Sequence, residues 1–356
     1  MAISPYEVGR PIEDVARVLG LDPASIVKLT ANESPDGPFP GVIEAVTEAL
    51  VRSNRYPDNA AWDLSHTLAG ELGVGRDNLL LGNGSTALIS DTVRAVSELG
   101  ANIIYGWPSF VMYRFAAIWA GIDFAEVPLT TQHVLDLDAM IEAVDADTRC
   151  VILCNPNNPT GTITPAHDVE SFIDHVSDDV LVLVDEAYHE FVQDDRYRTA
   201  IPLALSRENV IVLRTFSKIH SLAAFRVGYA VGHRDTLYQI QKAQQPLAVT
   251  TASQVAALAS LGQPDEVRRR VETNAAARHH LSGVIAERGL LQVESQTNFI
   301  FFKMPGEDSA AATGEFTSRG VILRPINGGW LRVTIGSSQE NERFVTVLDD
   351  VLAVMA

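Results

Sequence analysis

Six short apolar runs recur between residues 78 and 232, with helical stretches between them: Leu79-Leu80-Leu81, Asn102-Ile103-Ile104-Tyr105, Cys150-Val151-Ile152-Leu153, Val180-Leu181-Val182-Leu183-Val184, Val210-Ile211-Val212-Leu213 and Val227-Gly228-Tyr229-Ala230. They do not alternate apolar with polar residues as a half-exposed strand would. Strands of this kind bury both faces, so the runs predict a large, mostly parallel sheet covered by helices on either side, an α/β/α domain.

Beyond residue 262 the pattern changes. A long polar helix is expected from Pro264 to about Arg288, with proline in its first turn and Gly289 as its stop. Strands at Asn298–Phe302, Val321–Leu323 and Leu331–Ile335 and a closing helix from Asn341 to Met355 predict a smaller α+β part. The first 40 or so residues hold no long apolar element and are expected to pack on that part, which makes the small domain discontinuous. The expected division is 1–45 for an N-terminal arm and part of the small domain, 46–250 for the large domain, and 251–356 for the long helix and the rest of the small domain.

A net charge of -18 and the lack of any Lys/Arg-rich run speak against a nucleic-acid or anionic-membrane surface, because a polyanion would be repelled. Cys150 and Cys154 are the only cysteines, which excludes a disulfide scaffold and leaves a metal site incomplete. No metal-ligand spacing is visible. No window approaches the roughly 20 apolar residues that span a bilayer, and the start of the chain has no basic-then-apolar leader. The expected location is cytoplasmic.

In parallel α/β sheets ligands collect beyond the carboxyl ends of the strands, so the residues that follow each run carry the functional signal. Gly84, Ser85 and Thr86 form a small-residue turn into a helix expected over Ala87–Ser97, suited to a phosphate but also to a plain capped turn. Gly106-Trp107-Pro108-Ser109-Phe110 offers rings for stacking or for the core. Asn157 and Asn158 sit in a loop of turn formers, and their amides can bond a phenolate oxygen. Asp185, at the end of a five-residue apolar strand, needs a partner to justify burial, and Tyr188 follows it. Thr215, Ser217 and Lys218 end the next run, with Arg226 eight residues on. Lys218 alone is weak evidence. An amine, a carboxylate, a tyrosine and an arginine at neighbouring strand ends together match what pyridoxal 5'-phosphate requires.

This order resembles the class I/II, fold-type I pyridoxal-phosphate aminotransferases over nearly the whole chain. The stretches from Pro5 to Val15, Ala31-Asn32-Glu33-Ser34-Pro35 with Gly37-Pro38, and Asn54-Arg55-Tyr56-Pro57-Asp58 are similar to histidinol-phosphate aminotransferases. The resemblance implies a large sheet domain with a smaller α+β domain and transfer of an amino group from L-histidinol phosphate to 2-oxoglutarate, a step of histidine biosynthesis, by a ping-pong mechanism. It implies that Lys218 holds the cofactor as an internal aldimine and moves the proton, that Asp185 pairs with the pyridine N–H, and that Asn158 and Tyr188 bond the ring oxygen. Phe110 would cover the ring where the family more often has tyrosine. Gly84, Ser85, Thr86, Ser217 and Arg226 would line the phosphate site, joined by Tyr56 from the second subunit of a homodimer, with Thr215 a further cofactor-binding residue. Arg332 matches the substrate-anion arginine, with Tyr6, Asn32 and Arg324 as further substrate-binding candidates.

Several positions depart from that pattern. Thr86-Ala87 follows Ser85 where the family has an acidic pair, and Ser221 and Ala224 replace glycines, which is expected to restrict the backbone. The segment from Arg324 to Arg332 is short and contains Trp330, which is similar to actinobacterial aromatic (phenylalanine) aminotransferases. An aromatic amino acid is therefore the alternative amine donor, and a decarboxylase or lyase of the same fold is a second alternative. A regulator built on the same ligand domain would need a DNA-binding segment, for which the chain is expected to have no room. His220, two residues past Lys218, faces either the cofactor or the sheet.

Overall fold

The computed structural model describes residues 11–355. It divides into two compact units, one of Gly37–Glu272 and one formed by the described residues on either side, 11–36 and 273–355. The divisions expected from sequence fall at 45/46 and 250/251. The helix Thr251–Ser260 belongs to the larger unit because it packs on the helices Val42–Leu50 and Trp62–Leu72.

The larger unit is built on a seven-stranded sheet in the order Leu79–Gly82, Gly228–Gly232, Val210–Thr215, Leu181–Asp185, Thr148–Cys154, Asn102–Trp107, Asp123–Pro128. The last five of these run parallel, and Gly228–Gly232 is antiparallel to both its neighbours. Successive residues of the central strands enter opposite cores: Val151, Leu153, Val182, Val184, Val210 and Val212 pack on one face. Cys150, Ile152, Cys154, Leu183, Ile211 and Leu213 pack on the other. A period of two with both faces covered is the physical reason those runs read as unbroken apolar sequence.

Asp123–Pro128 is a strand the apolar pattern did not reveal. It lies at the sheet edge with Asp123 and Phe124 exposed, so its sequence need not be apolar throughout. The helix expected over Ala87–Ser97 runs instead from Gly84 to Ala95, which puts the Gly-Ser-Thr turn in its first turn.

In the smaller unit, Val27–Lys28 pairs in parallel with Val321–Ile322, and Arg324–Pro325, Trp330–Thr334, Phe299–Lys303 and Gln292–Val293 form an antiparallel sheet. Leu29, Ile300, Phe302, Phe316, Leu331, Val333 and Phe344 fill its core. The helices Ser309–Ser318 and Ser338–Met355 supply Phe316 and Phe344. Among the described residues no helix is long and apolar enough to cross a membrane, and no group of three or more His, Cys, Asp or Glu side chains is placed to hold a metal ion.

Candidate active site

The carboxyl end of Leu181–Asp185 delivers Asp185 into the sheet, 3% exposed. Burial pushes its pKa up to about 6, and the hydroxyl of Tyr113 and the N–H of Ala187 partly offset that by donating to it at 2.8 and 3.2 Å. Tyr113 was not singled out from sequence. It stands in the first turn of the helix Met112–Ala120, three residues after Phe110 in the preceding turn, and their rings meet edge to face at 5.7 Å.

On the neighbouring strand, Val210–Thr215, the backbone turns into Ser217 and Lys218. The Lys218 ammonium lies 5.6 Å from the centre of the Tyr188 ring, and its charge acts on Asp185 to favour the ionised carboxylate. Thr215 Oγ1 donates to Ser217 Oγ at 2.9 Å, and Arg226 Nη1 donates to the same hydroxyl at 3.4 Å. Arg226 adopts φ +51, and burial lowers its pKa from the ordinary arginine value.

The first turn of the helix Gly84–Ala95 comes to this place because of Gly228. Gly82 and Thr215 are both in register with Gly228, one on each side of its strand. A β-carbon there would lie 2.7 Å from the backbone nitrogen of Ser85 and 2.8 Å from the carbonyl oxygen of Arg214. Only glycine admits so close an approach. Gly84, at φ +76, lies against Arg226: a β-carbon on it would meet Nη2 at 2.6 Å. Asn83 provides no side-chain cap, so the opening N–H groups of the helix are not spent on capping.

The loop after Thr148–Cys154 is fixed by its own amides. Asn155 donates its N–H to the Asp185 carbonyl at 3.0 Å, and its side chain brackets Thr164 at 2.9 Å in both directions. The Asn157 side chain donates to the Pro108 carbonyl and to Thr160, and accepts from Ser109 at 2.7 Å. Of the two adjacent amides, Asn157 holds the loop to the Phe110 turn, and Asn158 beside it is buried.

Gly84, Ser85, Thr86, Phe110, Asn158, Asp185, Tyr188, Thr215, Ser217, Lys218 and Arg226 all belong to the larger unit. Tyr56 is in that unit too but stands 87% exposed. Asn32, Arg324 and Arg332 lie in the smaller unit. There Arg332 donates through Nη2 to the Thr30 carbonyl and packs its guanidinium 5.3 Å from the Phe299 ring centre. Asn32 is held by Thr334 and Asn298. Tyr6 lies outside the described residues. Trp330 stacks on Phe301 at 4.4 Å. The His220 ring packs between Phe39 and Phe216, and burial, with Arg270 adding to it, pushes its pKa down to about 4. Ser221 takes φ +58, the left-handed conformation in which glycine is unstrained, and its hydroxyl accepts from Arg270.

These groups fit pyridoxal phosphate. The buried Asp185 carboxylate suits a protonated ring nitrogen, Lys218 an aldehyde, and the uncapped helix start with Arg226, Ser217 and Thr215 a phosphate.

The profile of the family described as aminotransferase class I and II matches residues 24–348. A histidinol-phosphate aminotransferase of Halalkalibacterium halodurans is 39% identical over 99% of this chain and 96% of its own length. An aromatic amino acid aminotransferase of Streptomyces coelicolor is 38% identical over 98% and 95%. The crystal structure of histidinol-phosphate aminotransferase from Sinorhizobium meliloti in complex with pyridoxal-5'-phosphate superposes with a TM-score of 0.90 at 27% identity, covering 99% of this chain and 96% of that one. With the profile spanning both units and a relative 39% identical over nearly the full length, the chain belongs to the class I and II aminotransferases, of fold type I.

Proposed function

We propose that this enzyme uses pyridoxal 5'-phosphate to move the amino group of L-histidinol phosphate to 2-oxoglutarate in a ping-pong cycle. The observation that carries the reading is the meeting of Lys218, Asp185 and Arg226 at neighbouring strand ends, with a relative of that activity 39% identical across nearly the full chain.

When bound, the cofactor supplies a carbonyl that takes up an amine and a ring that accepts electron density. Lys218 Nζ first holds the cofactor and then carries a proton to and from the substrate α-carbon. Asp185 keeps a proton on the group facing it, because a buried carboxylate stabilises an adjacent positive charge. Asn158 and Tyr188 orient the ring oxygen, and Phe110 covers the ring and excludes water. Gly84, Ser85, Thr86, Thr215, Ser217 and Arg226 bind the phosphate. Arg332, with Arg324, Asn32 and Tyr6, is assigned to the anionic end of both substrates, where a guanidinium offers paired donors.

In this reading the active form is a cytoplasmic homodimer. The exposed ring of Tyr56 supports a role for it at the other subunit's phosphate site. An aromatic amino acid is the second donor, favoured by the Streptomyces coelicolor relative and by the Trp330–Phe301 stack two residues from Arg332.

The test is a half-reaction titration with histidinol phosphate, phenylalanine, tyrosine and glutamate, following conversion of the bound aldehyde to the amine by absorbance. Histidinol phosphate is expected to convert fastest; if phenylalanine equals it, the donor assignment fails. Lys218→Ala is expected to abolish the pH-dependent absorbance of the lysine-bound cofactor and to slow transfer by at least roughly 10²- to 10⁴-fold. Retention of that band would sink the cofactor reading.

A further inference from the structure

Asp185 ends a strand of five buried residues, where protein donors must fix the direction of its carboxylate. Two do so. Ala187 N–H reaches Oδ1, and Tyr113, wholly buried, reaches Oδ2 at 2.8 Å. Tyr113 lies in the first turn of the helix Met112–Ala120, directly after the turn that carries Phe110. Its ring is wedged against Phe110 on one side and Tyr105 on another, at 5.7 and 5.6 Å.

We propose that Tyr113 is a positioning residue for the cofactor, aiming the Asp185 carboxylate at the ring nitrogen and coupling that aim to the seat of Phe110. The inference rests on Asp185 being the partner of the ring nitrogen, as proposed above. It goes further in assigning a role to a residue that acts through Asp185. A hydroxyl on a wholly buried ring packed against Phe110 and Tyr105 cannot follow a misdirected carboxylate, so the hydrogen bond selects one rotamer of Asp185.

Removal of the hydroxyl has a consequence beyond lost orientation. A donor to the charged form of a buried acid favours that form, so without Tyr113 the carboxylate takes up a proton at higher pH. A protonated Asp185 no longer offers a negative charge to the ring N–H. The charged and titratable groups around this pair are Glu186 beside Asp185, Lys218 from the next strand end, and the Cys154 thiol on the other neighbouring strand. Burial pushes the Cys154 thiol up to about 12, so it stays neutral through the range of the test.

The experiment titrates pyridoxal phosphate into the cofactor-free forms of the parent protein, Tyr113→Phe, Asp185→Asn and the double variant, between about pH 6 and 9, reading absorbance and tryptophan fluorescence. Tyr113→Phe keeps the ring and its packing, and circular dichroism with thermal unfolding confirms that each variant is folded. The expected result is cofactor affinity weakened about tenfold or more near pH 6.5. The loss should shrink as pH rises and be absent when the substitution is made on Asp185→Asn. Loss of equal size at every pH, or the same loss in the Asp185→Asn background, overturns the inference and leaves the cofactor reading standing. Asp185→Asn binding as tightly as the parent at every pH overturns the cofactor reading itself, and the inference with it.

Discussion

Arg214 donates both Nε and Nη2 to a single carboxylate oxygen of Glu186, at 3.0 and 2.9 Å, with both side chains buried. Thr199 and the Ala200 N–H complete the shell of Glu186 at 2.8 and 2.7 Å. The pair joins the residue after Asp185 to the residue before Thr215, and so ties two strand ends of the site together. Arg214→Ala leaves a buried carboxylate uncompensated and should lower stability by about 3–5 kcal/mol. Replacing both residues by methionine should recover much of that loss. Denaturant unfolding of the single and double variants checks both statements, and a double variant no better than Arg214→Ala would contradict the second.

Gly84→Ala should weaken cofactor binding more than it weakens the fold. Its φ of +76 strains any β-carbon, and that carbon would displace the Arg226 guanidinium 2.6 Å away. Gly283, inside the helix Pro264–Glu287, has an ordinary φ, and a β-carbon added to it would meet nothing within 4 Å. Gly283→Ala should therefore stabilise by up to about 1 kcal/mol through helix propensity. Thermal unfolding and cofactor titration of the two variants should move in these separate ways.

Asp185 makes the cofactor-free protein sensitive to pH. Its folded pKa of about 6 exceeds the unfolded value of 3.8, so its contribution to stability is fully present below about pH 4 and is lost as pH rises through about 6. Asp185→Asn lacks this titration. Relative to the parent, the cofactor-free variant should gain on the order of 2 kcal/mol between pH 4 and 7. Urea unfolding of both proteins across that range tests the sign; parallel curves would show that Asp185 is not perturbed.

Arg332→Ala should raise the KM of every anionic substrate by roughly 10- to 150-fold, the loss expected for a hydrogen bond to a charged group. Steady-state kinetics with donor and acceptor varied in turn would show it. Unchanged KM for both would remove Arg332 from the anion site.

The central sheet was legible because burial on two faces writes itself into sequence as unbroken apolar runs, and each run pointed to the residues after it. Asp185 and Lys218 could be read that way since their position in the chain, at or just beyond the end of a strand, is also their position in space, whereas Arg226 stands just before the strand Gly228–Gly232. Asp123–Pro128 escaped because an edge strand with an open side carries no such mark. Ser221 was recognised as a departure from glycine, but not that it would keep the left-handed backbone and spend its hydroxyl on Arg270.

The chain's order of residues was thus enough to define the fold class, the family and the chemical types gathered at the strand ends, all of which depend on local pattern and spacing. Tertiary structure alone decided which groups touch. Tyr113 lies 72 positions from Asp185, and Gly228 lets the Ser85 backbone come close to the Arg214 carbonyl from a distant part of the chain. Such contacts depend on how helices and strands pack, and a single chain's sequence carries no signal of the distance between residues it does not place side by side.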